Sequence, residues 1–156
     1  MNDWQLAYAA IAGVAATLSG LLFVALSVRL TTADADERHW MLFMAKRSFI
    51  DFLAVLALAL LFLMPKISLQ AIGWTQLGLA ATRVAWHVRH WRIYRTVAAK
   101  GHYLSEYLAP VGATLVLLIG GLGALQAWPE VLKTTYAAAL MLLFGACQNA
   151  WRLLVG

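Results

Sequence analysis

The chain has 156 residues, of which 63% are apolar and 12% are charged, and its mean hydropathy is +0.75. A soluble domain is nearer half apolar with about a quarter of its residues charged, so this composition argues against a water-soluble fold and predicts lipid as the solvent. The formal net charge of +5 comes from Lys and Arg clustered in short loops between apolar runs, a pattern that indicates membrane topology rather than a nucleic-acid partner.

The apolar runs predict five transmembrane helices, because a span needs about 20 mostly apolar residues. These runs cover residues 8–28, 48–64, 69–88, 107–127 and 133–155. The third run is the least apolar, since it contains Gln76, Arg83 and His87. We find no repeat and no linker, so residues 1–156 are predicted to form one all-α domain, an integral membrane helical bundle.

The basic residues predict how this bundle is oriented. With five spans and the N-terminus outside, nine Lys and Arg side chains lie on the inner side, two lie on the outer side, and Arg83 lies within a span. This positive-inside asymmetry places the N-terminus outside and the C-terminus inside. All seven Trp residues fall near span boundaries, where Trp concentrates in membrane proteins. The sequence therefore predicts a multi-pass membrane protein in contact with lipid.

Asp51 and Arg83 form the sharpest candidate pair. Each is 16 residues from Ile67, so an antiparallel hairpin about that turn places both at one depth. Charged side chains inside a span are costly and generally have a partner, and Arg47, one turn before Asp51, can share the carboxylate. The pair has two interpretations: it is a structural ion pair, or it functions as a proton or ion relay or as a voltage-sensitive gate.

Aromatic and basic residues alternate at the inner end of the third run. They are predicted to contact lipid headgroups or a partner: Trp86, Arg89, Trp91, Arg92 and Arg95. His87 and His90 stand three residues apart, so metal or haem ligation is the alternative. No carboxylate accompanies them, and we predict no metal and no cofactor.

Small residues mark two of the predicted helices. Gly13, Ala16 and Gly20 share one face of the first helix, and Gly120 lies in the fourth. Small side chains at this spacing let helices approach closely. The sequence leaves open whether this packing occurs within one bundle or between subunits.

The chain contains none of the common catalytic motifs. It has no Walker loop, no HExxH and no GxSxG, and its one cysteine, Cys147, cannot form an internal disulfide. We therefore predict that the protein is not an enzyme.

Three stretches resemble a family of small bacterial membrane proteins, some of which are described as modulators of the FtsH protease. They are residues 15–27, the apolar helix that ends at Pro65 and is followed by Ile72-Gly73-Trp74, and Asn149-Ala150-Trp151 near the C-terminus. The family usually has Pro-Gly-Gln at the outer turn, where this chain has Pro65-Lys66-Ile67, so no role is carried over to the turn. The resemblance implies a multi-pass fold and a bacterial inner-membrane location.

These features predict a non-enzymatic protein that acts through helix–helix association. It would be a self-associating bundle or an accessory subunit of a larger membrane complex. The first alternative is a homo-oligomeric ion channel with Asp51 or Arg83 facing the pore. The second is a redox subunit that holds haem or metal at His87 and His90.

Overall fold

The computed structural model describes residues 3–31, 34–89 and 103–155, and within these ranges it contains five α-helices and no strand. The all-α class predicted from the sequence is confirmed. The helices, numbered in chain order, are α1 (Asp3–Leu30), α2 (Ala35–Leu63), α3 (Leu69–Arg89), α4 (Tyr103–Leu125) and α5 (Val131–Val155).

The helices form two compact units. The first unit comprises Met1–Leu63 and Leu142–Gly156, and in it α1 packs against α2. The second unit comprises Met64–Met141, and in it α3 packs against α4. The helix α5 contributes its first half to the second unit and its second half to the first.

The first unit is held together by apolar contacts at both ends of the α1–α2 pair. The rings of Tyr8 and Phe62 stack with their centroids 4.3 Å apart and an interplanar angle of 8°. Such aromatic pairs contribute about 0.5–1.5 kcal/mol beyond the area they bury. A cluster of buried apolar side chains lies at the other end: Leu22, Met41, Met44, Ala45, Phe52, Ala146 and Leu153.

In the second unit, the C-terminus of α4 ends in a capping motif. The amide of Trp128 donates to the carbonyl of Gly123 over 2.9 Å, and the amide of Ala127 donates to that of Ala124 over 3.2 Å. These two bonds form a Schellman motif, which satisfies helix-end carbonyls and requires a left-handed residue. Ala127 adopts that conformation, with φ of 54°, although it has a Cβ that disfavours it.

Within the part of the chain that the structure describes, two helices are long and apolar enough to cross a membrane. They are Trp4–Leu30, with 27 residues and a mean hydropathy of 2.2, and Val131–Trp151, with 21 residues and a mean hydropathy of 1.3. The structure thus has the predicted five helices, but only two of them pass this test as membrane spans among the described residues.

The other three helices miss the test for different reasons. In α2, Lys46, Arg47 and Asp51 lie close together, so the uncharged apolar part that follows is residues 52–63. The helix α3 contains Gln76 and Arg83 within its length. In α4, Val111–Leu125 is the apolar part among the residues whose side chains the structure describes.

Candidate functional site

Within the second unit, α3 and α4 cross at close range at Gly73. A Cβ placed on Gly73 would lie 2.9 Å from the carbonyl oxygen of Gly121 and 2.9 Å from Cγ of Leu125. Both distances are below ordinary van der Waals contact, so this crossing has no space for a methyl group at Gly73. Glycine is costly within helices, and here it allows the two backbones to touch.

One turn along α3 from Gly73, Gln76 forms a buried polar contact with α5. The Gln76 side chain is fully buried, and its Nε2 donates a hydrogen bond to Oγ1 of Thr135. That hydroxyl donates in turn to the carbonyl of Val131 over 2.7 Å. The amide, the hydroxyl and the backbone therefore form a continuous hydrogen-bonded chain between α3 and α5.

Gly120 of α4 completes what we call the Gln76 cluster, which consists of Gln76, Thr135 and Gly120. A Cβ on Gly120 would lie 2.6 Å from Oε1 of Gln76, so the absence of a side chain at Gly120 makes room for the amide. The same Oε1 is buried and has no hydrogen-bond partner among the described residues.

The chemistry of the Gln76 cluster is structural. Neither a carboxamide nor a threonine hydroxyl changes its charge near neutral pH, so the cluster cannot act as an acid or a base there. Hydrogen bonds between helices in lipid contribute about 0.6 kcal/mol on average and up to about 1.7 kcal/mol. Gln76 of α3 therefore contacts both α4 and α5. In the sequence it is only one of the polar residues that make the third run the least apolar.

Arg83 is also buried on α3, with 7% of its surface exposed. Its Nε donates to Oγ1 of Thr114 on α4 over 3.3 Å. Asp51, in the first unit, is buried as well, and so is Arg47 one turn before it. Each residue of the predicted ion pair thus lies in a protein interior, and the pairing of Asp51 with Arg83 and Arg47 stays a prediction.

His87 lies one turn beyond Arg83, and its ring orientation is defined. Its Nδ1 is 2.7 Å from the carbonyl oxygen of Arg83. A carbonyl can only accept, so Nδ1 carries the hydrogen and the lone pair of the neutral imidazole is on Nε2. Its predicted partner His90 lies outside the described residues. Among the described side chains, no group of three or more His, Cys, Asp and Glu converges on one point.

The small-residue face of α1 lies on the outside of the molecule. Gly13, Ala16 and Gly20 are exposed, and a Cβ on either glycine would meet no described atom within 4 Å. The hydroxyl of Thr17 on the same face donates to the carbonyl of Gly13 over 2.8 Å, so it is satisfied within its own helix. The packing role predicted for this face stays a prediction, and the face is open to another helix.

The basic and aromatic segment is described only in part. Arg89 is exposed at the end of α3, and Trp86 is half-buried. The other members of the predicted lipid or partner contact lie outside the described residues: Trp91, Arg92 and Arg95.

The fold and these sites were compared with known proteins. No protein family, no curated protein and no solved structure matches this chain. The resemblance to the bacterial membrane family stays a prediction, and a functional assignment rests on the residues described above.

Proposed function

We propose that this chain is a multi-pass protein of a bacterial inner membrane, with five transmembrane helices, its N-terminus outside and its C-terminus inside. It acts through helix–helix association and not as an enzyme. It does so as a self-associating bundle or as an accessory subunit of a larger membrane complex.

The observation that carries the proposal is the distribution of side chains on α3. Gln76 is fully buried, whereas Trp74 is 67% exposed and Val88 is 70% exposed. In water this arrangement is unfavourable, because fully burying a large apolar side chain contributes about 1.5–3 kcal/mol. In lipid it is the expected one, since polar side chains there face the protein interior. The least apolar of the five helices thus has its apolar face outward.

The surface of α1 supports association with another helix. Its apolar window is only 22% buried, so most of this helix faces lipid or protein. Gly13, Ala16 and Gly20 lie on the exposed surface, and small residues allow the close backbone approach on which helix association in lipid depends.

The alternatives gain no comparable support. An ion channel with Asp51 or Arg83 facing its pore needs that side chain at a surface between subunits, and both are buried within the chain. A redox subunit needs a second ligand beside His87, and the predicted one, His90, lies outside the described residues.

The association is tested by a glycine-to-isoleucine series. Gly13→Ile combined with Gly20→Ile fills the small-residue face, and the added Cβ atoms meet nothing within 4 Å, so we expect the chain to fold but to lose its partner. Gly78→Ile is the matched control, because Gly78 is exposed on α3 and a Cβ there also meets nothing within 4 Å. The measurement is the mass of the intact assembly purified in a mild detergent.

The expected result is a smaller assembly for the double variant and an unchanged assembly for Gly78→Ile. Loss of identical subunits indicates self-association, and loss of another protein indicates an accessory subunit. An assembly unaffected by the double variant would contradict association through α1. Complete extraction of the wild type by carbonate, or reporter fusions that place both termini in one compartment, would contradict the membrane layout itself.

A further inference from the structure

The first unit has an open groove between α1 and α2, which we call the α1–α2 groove. Its volume is about 230 Å³. Apolar side chains of both helices line it together with one lysine: Leu22, Phe23, Leu26, Leu42, Phe49 and Lys46. Leu22 is buried and belongs to the apolar cluster of the unit, whereas Phe23 and Phe49 are exposed and form the walls.

The single cation of the groove lies where the apolar stretch of α2 begins. Lys46 and Arg47 are adjacent, but Arg47 is buried and only Lys46 is exposed beside the groove. A lysine places its methylene stem along an apolar surface and extends its ammonium group toward water or a headgroup. The groove therefore combines an apolar channel with one positive charge.

We propose that the α1–α2 groove is a binding site for an anionic phospholipid. One acyl chain lies along Leu22, Phe23 and Phe49 toward the bilayer centre, and the phosphate contacts the ammonium group of Lys46. The proposal rests on the membrane location proposed above, because only a protein within a bilayer meets lipid at this depth.

Size and charge favour this occupant over two others. Pockets that enclose a drug-sized ligand measure about 300–1,000 Å³, so this smaller, open groove suits part of one chain rather than a whole enclosed molecule. A second copy that docked symmetrically through the same surface would place both Lys46 side chains in one interface, and the residues that line the groove include no carboxylate to pair with them. A phospholipid with a net negative charge satisfies the apolar and the cationic part at once.

The test is a lipid titration of the full chain in a mild detergent, followed by mass measurement of the intact complex. Dipalmitoyl phosphatidylglycerol is compared with dipalmitoyl phosphatidylcholine, which has the same chains but no net charge. We expect one retained anionic lipid per chain, bound about fivefold more tightly, the factor that one lysine near an anionic surface contributes.

Variants separate the charge from the groove. Lys46→Gln should abolish the preference for the anionic lipid, while Lys46→Arg should keep it. Lys66→Gln is the matched control, because Lys66 is exposed outside the groove and its loss changes the net charge equally. Leu42→Trp fills the groove and should weaken the binding of both lipids.

The proposal is overturned if Lys46→Gln behaves as Lys66→Gln does, if the two lipids bind equally, or if Leu42→Trp leaves binding unchanged in a chain of native helix content. Displacement of the lipid by palmitate at equal concentration would also overturn it, since a free fatty acid would then be the ligand. A carbonate wash separates these outcomes from a failure of the proposed function. If the protein stays in the membrane after the wash, a negative lipid result refutes only the groove proposal. If the wash extracts the protein, the proposed membrane location itself is refuted.

Discussion

Gly120→Ala is expected to destabilise the second unit through one defined clash. The added methyl group would lie 2.6 Å from Oε1 of Gln76 and 3.6 Å from its Cδ. The Gln76 side chain is flexible in principle, but it is fully buried and its Nε2 is bonded to Thr135. Relief of the clash therefore requires loss of that hydrogen bond or separation of α3 from α4.

The magnitude follows from two opposing effects. Overpacking a filled interior costs about 1–3 kcal/mol, and replacing a glycine by alanine within a helix returns about 0.5–1 kcal/mol. We expect Gly120→Ala to lower the free energy of unfolding by about 1–2 kcal/mol. In a chain that already carries Gln76→Ala, the clash is absent and Gly120→Ala should be neutral or stabilising.

The measurement is a double-mutant cycle on unfolding in mixed detergent micelles, followed by circular dichroism. The expected coupling between Gly120→Ala and Gln76→Ala is about 2 kcal/mol, within the range observed for residues in contact. Gly78→Ala is the matched control, because a Cβ there meets nothing within 4 Å. If Gly120→Ala costs the same with and without Gln76, the two residues do not compete for this space and the reasoning is refuted.

Three further predictions use the same unfolding measurement. Gly73→Ala should lower the free energy of unfolding by about 1–3 kcal/mol, because the added Cβ would lie 2.9 Å from the Gly121 carbonyl oxygen. Gln76→Ala should not restore this loss, and a cost equal to that of Gly78→Ala would contradict the prediction. Ala127→Gly should stabilise by about 1 kcal/mol, since φ of 54° is strained with a Cβ; destabilisation contradicts it. Tyr8→Leu should cost at least about 0.5–1.5 kcal/mol through loss of the ring stack, while Tyr8→Phe keeps it; equal stability of the two variants contradicts the stack.

The positions of the helices were largely predictable from apolar runs, but the helix ends were not. The second run predicts a span over residues 48–64 that extends backward through residues 41–45, whereas α2 begins at Ala35. Hydropathy indicates which part of a helix lies in lipid, but it does not indicate where the helix ends. A helix can extend beyond the lipid through polar residues that have high helical propensity. For the same reason α2 includes Lys46 and Arg47 without interruption.

Of the three residues of the Gln76 cluster, only Gly120 could be predicted from the sequence as a packing residue. Gly120 was singled out as a packing residue, and it lies against Gln76. The link from Gln76 to Thr135 was missed because the two residues lie on helices that are not joined by a single turn, so counting from a hairpin does not pair their depths. The available signal was the presence of a carboxamide within a span, since polar side chains there generally have partners.

A last prediction addresses whether lipid surrounds α3. Ala81 is exposed and lies within two residues of the middle of this helix, which is 21 residues long. In a bilayer, Ala81→Asp should reduce insertion of α3 by about 2.5–3.5 kcal/mol, the cost of an aspartate at the centre of a span. In water the same change at an exposed position would be nearly neutral. Gln70→Asp, exposed in the first turn of α3, is the matched control. Because α3 separates two predicted loops, failed insertion is measured as altered accessibility of reporters placed after it. Equal topology for both variants would mean that the outward apolar face of α3 meets something other than lipid.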